Sequence, residues 1–257
     1  MIERVRYFAG LFNWGDDVNP VLYTMITGKE PRKMHVYDES QEDHVMMCGS
    51  ILSFANEYTT VWGAGFMHRR SSIAGVPKKV CAVRGPYTAQ RLEELGIEVD
   101  VPYGDPAMLM KKTWGTTLTA QNEYGVIPHY IDKLLVKDWP EEFLKIDIQA
   151  PIETVILNVA RCKKIISSGL HGLIIADMLE IPALWVKLSN NLSGDDMKFH
   201  DYFASIGRKD VDYFDLRGGY TDEVKNAFKD YKVDIDLDAL YEACPIKPNG
   251  GTEAWAT

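Results

Sequence analysis

The sequence predicts an α/β protein of two Rossmann-like domains facing a cleft, on three observations. Short apolar runs alternate with helix-patterned segments, the alternation comes in two blocks split by a polar stretch, and most runs end in glycine or another small residue. Alternation of this kind favours parallel sheets joined by crossover connections, with ligands at the carboxyl ends of the strands. The 257 residues suffice for one large domain or two small ones. The expected division is an N-terminal domain over residues 1–113, a C-terminal domain over 114–218, and a tail with helices over 219–257.

In the first block, RVRYFAG reads as a strand and NPVLYTMITG as a helix with Pro20 preformed near its first turn. HVMMCGS, TTVWGAG and KKVCAVRG read as further buried strands. GPYTAQRLEELG is a helix with Pro86 at its first position, Ala89, Leu92 and Leu95 on one face, and Gly96 as its C-terminal cap. DVPYGDPAMLM closes the block, and polar KKTWGTTLTAQNE is the expected linker. The second block runs EYGVIPHY (strand, then helix from about Tyr130), LKIDIQA (strand), PIETVILNVARCK (helix), KKIISSG (strand), LHGLIIADMLE (helix), PALWVKL (strand) and DDMKFHDYFASIG (helix). Beyond Gly218 the chain turns polar, and NGGTEAWAT reads as a frayed end.

Composition narrows the function. The 46% apolar fraction supports a proper core, and a net charge of −9 argues against general nucleic-acid binding, which needs a basic face. Cys48, Cys81, Cys162 and Cys244 are scattered without a CxxC pair, which predicts reduced structural thiols and no metal site. No window approaches the roughly 20 apolar residues of a membrane span, and MIERVRYFAG lacks a signal-peptide core, so the expected location is cytoplasmic.

The loops after predicted strands carry the candidate chemistry. NWGDD offers Asn13, Gly15, Asp16 and Asp17, whose carboxylates suit a general base, the orientation of sugar hydroxyls or the holding of a metal; turn and cap residues are the competing reading. Arg84 ends a strand in VRGPY, where it can reach a carboxylate or phosphate, or form a surface pair with Glu93 or Glu94. Asp105 before Pro106 reads most economically as a helix cap, and His129 follows a strand as a lone histidine. The SSGLHG stretch weighs more. Ser167, Ser168 and Gly169 end a strand and His171-Gly172 open a helix, whose free N–H groups and dipole make an anion site. His171 can bind phosphate as a cation or transfer a proton.

Together NWGDDVNPVLYTMITGKEP, WGAGF, VRGPYTAQRLEELGI, YGDPAMLM, GVIPHY and SSGLHGLIIADMLEIPALWV resemble the polysaccharide pyruvyl transferase family, in its bacterial exopolysaccharide ketal-forming branch. The resemblance implies a GT-B-like fold, phosphoenolpyruvate as donor substrate with no cofactor, and a sugar acceptor, lipid-linked, carrying the resulting cyclic pyruvate ketal. The latter would bring the protein to the inner membrane face. It puts the family's motif histidine on His171, the expected acid, with Asp16 or Asp17 as base and Asn13, Gly15, Arg84, His129, Ser167, Ser168 and Gly172 as substrate contacts. Gly169 stands where many members have arginine, so Arg84, His129, Arg161 or Lys163 must supply the missing charge. The rival enzyme reading is a nucleotide-sugar glycosyltransferase, for whose base and ribose the sequence offers no clear ligand, Glu180 and Asp177 being the residues left open. A non-catalytic sugar-binding reading would expose Trp185, Tyr202 and Phe203.

Overall fold

The computed structural model describes residues 2–10, 12–114 and 119–247. Part of the expected linker and the whole of NGGTEAWAT lie outside them. In chain order the regular elements are β1 (Arg4–Tyr7), α1 (Trp14–Thr27), β2 (Arg32–His35), β3 (His44–Met46), β4 (Thr59–Trp62), β5 (Lys79–Ala82), α2 (Pro86–Glu94) and α3 (Lys111–Trp114). Then come β6 (Asn122–Ile127), β7 (Phe143–Lys145), α4 (Ile152–Ala160), β8 (Cys162–Ser167), α5 (Leu170–Met178), β9 (Ala183–Lys187), α6 (Met197–Ser205), β10 (Phe214–Asp215) and α7 (Leu237–Glu242).

The strands form two parallel five-stranded sheets, β2-β1-β3-β4-β5 and β10-β9-β8-β6-β7. Counted within its own half, each sheet has the order 2-1-3-4-5. Each therefore has one switch point, between β1 and β3 and between β6 and β8, where loops diverge to opposite faces and leave a crevice. The largest apolar cluster joins the halves: Val5, Trp62 and Met108 from the first pack in it with Ile165, Leu173 and Phe199 from the second.

Pro20 corrects the expected start of the first helix. It lies inside α1, which begins six residues earlier at Trp14. A proline there leaves the Asp16 carbonyl without its helical N–H. The Asn19 side chain replaces that donor, its Nδ2 reaching the Asp16 oxygen at 3.0 Å and that of Gly15 at 3.3 Å. The Trp14 N–H donates to Ile148 of the second half at 3.0 Å, fixing the helix entrance across the cleft. Strand β2 was not expected from RKMH. It is a polar edge strand whose extended form is imposed by its register with β1, Arg4 beside Arg32.

The C-terminal chain returns to the first half. Helix α6 packs on α2, and α7 packs on the helical turn Pro106–Met110, with Trp62 Nε1 donating to the Leu240 carbonyl at 2.9 Å. Leu240 and Ile246 are fully buried, so this polar segment carries its own apolar anchors. Trp185, Tyr202 and Phe203 are buried as well, leaving no aromatic display of the kind a sugar-binding scaffold would need from them.

Candidate active site

The two switch points face each other across a cavity of about 300 Å³. The first half lines it with Phe8 after β1, Asn13 and Asp16 at the entrance of α1, and Gly49 to Ile51 after β3. The second half contributes Ile127 to Ile131 after β6, Gly169 to Gly172 at the start of α5, and Lys198 from α6.

Helix α5 enters this cavity without a cap. Gly169 at its N-cap has no side chain to offer, so the first N–H groups keep their positive end for a ligand. His171 lies in that first turn, its side chain 14% exposed. Its ring occupies the space beside Gly15, where an added Cβ would sit 2.0 Å from Nδ1. Trp14 flanks it, ring centroids 6.0 Å apart. Burial pulls the imidazole below its usual pKa, against the nearby Asp105, and Arg84 and Lys198 lower it further.

Asp16 is the carboxylate of the opposite wall. It is 8% exposed, and burial raises its pKa to about 6 although Asn13 Nδ2 donates to it at 2.8 Å. Asp17 does not line the cavity; burial raises it also, countered by Lys33. His129 lies on the rim, lowered to about 4 by burial and then by Lys198 and His171, so it is neutral near pH 7.

Three groups of sequence candidates lie outside the cavity lining. Arg84 is not a cavity residue: it is fully buried, donating to Asp201 at 3.0 Å, Ser50 at 2.7 Å and the Phe66 carbonyl at 2.7 Å. Neither it nor Asp201 pairs with Glu93 or Glu94. The hydroxyls of Ser167 and Ser168 are internal. Ser167 Oγ donates to the Ile127 or Gly169 carbonyl, both at 2.9 Å, and Ser168 Oγ accepts from the His129 N–H at 2.9 Å. Ser167 also fills the space where a side chain on Gly172 would go, 2.2 Å from a Cβ there. Finally, Arg161 is exposed beyond α4 and Lys163 pairs with Glu123 at 2.8 Å, both outside the cavity lining.

The cation that sequence reasoning missed is Lys198. It is 8% exposed in the cavity wall, and burial, followed by the Arg84 charge, lowers its pKa to about 8. The one clue was spacing: Lys198 and Asp201 are three apart, on one face of a helix whose neighbours Phe199 and Tyr202 are apolar or aromatic.

The sequence profile of the polysaccharide pyruvyl transferases matches residues 11–190, which include both switch-point loops and α5. The chain belongs to the polysaccharide pyruvyl transferase family. It is a transferase of the pyruvyl-transferring class, acting on polysaccharide. It is 31% identical over 217 residues to the uncharacterized protein L143 of Acanthamoeba polyphaga mimivirus, covering 79% of this chain and 74% of that one. It is 24% identical over 209 residues to the succinoglycan biosynthesis protein ExoV of Rhizobium meliloti, covering 76% of this chain and 62% of ExoV. No solved structure matches. Among the described residues no helix is long and apolar enough to cross a membrane, and no group of His, Cys, Asp and Glu is placed to hold a metal.

Proposed function

We propose that this pyruvyl transferase takes its pyruvyl group from phosphoenolpyruvate and bridges it, as a cyclic ketal, across two hydroxyls of one sugar in a lipid-linked repeat unit. The fold is read as GT-B-like, and the work as done at the cytoplasmic face of a membrane. The observation that carries the reading is the cavity itself. An uncapped helix N-terminus, His171 and a buried lysine share one wall, and a carboxylate of raised pKa stands on the other.

The chemistry divides along those walls. The donor's phosphate and carboxylate call for positive charge, which the α5 N–H groups and Lys198 supply. Lys198 thus takes the place of the arginine that Gly169 lacks. His171 delivers a proton to the methylene carbon of the enol phosphate, and the C2 centre becomes oxocarbenium-like. One sugar hydroxyl adds to it, the C–O bond to phosphate breaks, and the second hydroxyl closes the ring. Of the two hydroxyl protons released, that of the ring-closing hydroxyl restores His171, and that of the attacking hydroxyl passes by way of Asp16 to the inorganic phosphate released. Asp16 accepts the proton of the attacking hydroxyl; its pKa of about 6 leaves it ionised at neutral pH yet more basic than an exposed carboxylate. Asp17, outside the lining, has no direct part.

The glycosyltransferase reading loses its candidate ribose ligands. Glu180 pairs with Lys111 at 2.8 Å, and Asp177 is buried between the hydroxyls of Tyr202 and Tyr231 at 2.9 and 2.5 Å. The decisive experiment incubates the protein with phosphoenolpyruvate and lipid-linked or aryl sugars, following phosphate release and a product heavier by one pyruvate less one water. His171→Ala should fold normally and lose on the order of 10²–10⁴-fold in transfer. Turnover near that of the parent protein would remove His171 from the mechanism.

A further inference from the structure

We infer that Asp105 is a positioning residue for His171, its carboxylate and the imidazole forming a buried pair behind the cavity. The sequence alone makes Asp105 a cap, and half of its carboxylate is one: Oδ1 accepts from the Ala107 N–H at 3.0 Å and starts the Pro106–Met110 turn. Oδ2 has no such task. It is fully buried with no hydrogen-bond partner, and so is His171 Nε2. These two atoms face each other 3.8 Å apart.

Buried polar atoms without partners are rare in folded proteins, and two opposite one another point to a single interaction left open. A shift of about 1 Å brings them into hydrogen-bond range. Catalytic hydrogen bonds are often long in a free enzyme and tighten once substrate is bound. Asp105 is held firmly for this. Gly63, at φ +97°, packs so closely on Pro106 that an added Cβ would lie 2.1 Å from its ring.

The other charged or titratable groups around His171 are Arg84 and Lys198, His129 on the rim, Asp16 across the cavity, and Cys48. Burial and then Asp105, by its charge and by a side-chain hydrogen bond from the thiol, push Cys48 well above its usual pKa, so it stays neutral and leaves the carboxylate its charge for His171. Against two cations, the carboxylate turned toward Nε2 favours the protonated imidazole. It also fixes the neutral tautomer with hydrogen on Nε2. Nδ1, beside Gly15, is then the nitrogen that exchanges a proton with the cavity.

The pairing can be tested apart from the proposed reaction, on which only its catalytic meaning rests. In the unaltered protein, nitrogen NMR should find neutral His171 protonated at Nε2; the Nδ1–H tautomer would overturn the pairing. Asp105→Asn retains an oxygen for the Ala107 cap but removes the charge. The His171 pKa should then fall by about 1–3 units. Pyruvyl transfer should drop at least tenfold at neutral pH and recover as the pH is lowered. An unmoved His171 titration, or a loss equal at every pH, would mean that Asp105 only caps the turn. A moved titration in a protein inert toward phosphoenolpyruvate would keep the pair and discard the donor assignment.

Discussion

Replacing Arg84 by methionine separates a donor ligand from a structural latch. Arg84 Nε and Asp201 Oδ2 are 3.0 Å apart with neither side chain exposed, and Asp201 also receives the Thr88 N–H at 3.0 Å and its hydroxyl at 2.6 Å. Gly65 and Gly85 make room for the pair: a Cβ on Gly65 would lie 2.5 Å from the guanidinium carbon, and one on Gly85 2.1 Å from the Asp201 carbonyl oxygen. Arg84→Met leaves the Asp201 carboxylate buried with Thr88 alone. Breaking a fully buried pair from one side costs about 3–5 kcal/mol, a large share of a domain's ~5–15 kcal/mol. Urea unfolding of Arg84→Met, Asp201→Asn and the double variant forms a cycle. The double variant should lose at least about 1 kcal/mol less than the sum of the single losses, because the groups interact directly. Arg84→Lys, which keeps the charge but not the three-way reach, covers the case in which Arg84→Met does not fold. A near-parental urea midpoint in these variants, together with a many-fold weaker KM for phosphoenolpyruvate, would refute the latch and return Arg84 to the substrate.

Two further substitutions probe the cavity. Gly15→Ala places a methyl 2.0 Å from His171 Nδ1, so the ring must move; transfer should fall by about tenfold or more while thermal unfolding shifts little, and a parental kcat would mean the ring has other room. Lys198→Met removes a cation held near pKa about 8 against an unfolded value near 10.5. Between those values the unfolded chain binds more protons than the folded one. Relative to the variant, the parent should therefore gain stability as pH rises from about 8 to 10.5, and be weakest below about 8 by roughly 3 kcal/mol. The variant should be more stable at neutral pH and bind phosphoenolpyruvate poorly; unfolding curves that stay parallel across this range would contradict a desolvated Lys198.

Most of the strands around the cavity were legible as buried apolar runs ended by a small residue, as in TTVWGAG and KKIISSG. The loops after them could be located for the same reason. His171 and the Asp16-Asp17 pair could thus be placed in loops of different halves, although pattern did not say which aspartate faces the cavity. What local pattern does not hold is which way a side chain turns. Arg84 stands at a strand end, as a ligand would, but the distant Asp201 draws it inward. Asp105 is a cap by sequence, yet its second oxygen faces a histidine 66 positions later in the chain, a juxtaposition set by packing α5 on the Pro106–Met110 turn. Lys198 was hidden because α6 reads as an ordinary amphipathic helix until its return to the first half aims that face at the cavity.

The repeated strand order explains why neither half would suffice alone. A switch point gives one crevice and one set of loops, and each half equips its own differently: a carboxylate at the entrance of α1, an uncapped N-terminus with His171 at α5. In the proposed reaction acid and base must stay on separate walls, because a carboxylate against the anion site would compete with the donor's charges. Their separation must also be held constant while two bonds form in turn. Helix α6 can meet that demand, since one turn of it presents Lys198 to the cavity and Asp201 to Arg84 beneath the first sheet's loops. Ser50, bound by the same guanidinium, lines the cavity on the acceptor wall. The latch therefore ties the cation of one wall to the loop of the other. Loosening it should be felt in the geometry of transfer, through Ser50 and Lys198, even though Arg84 itself does not line the cavity.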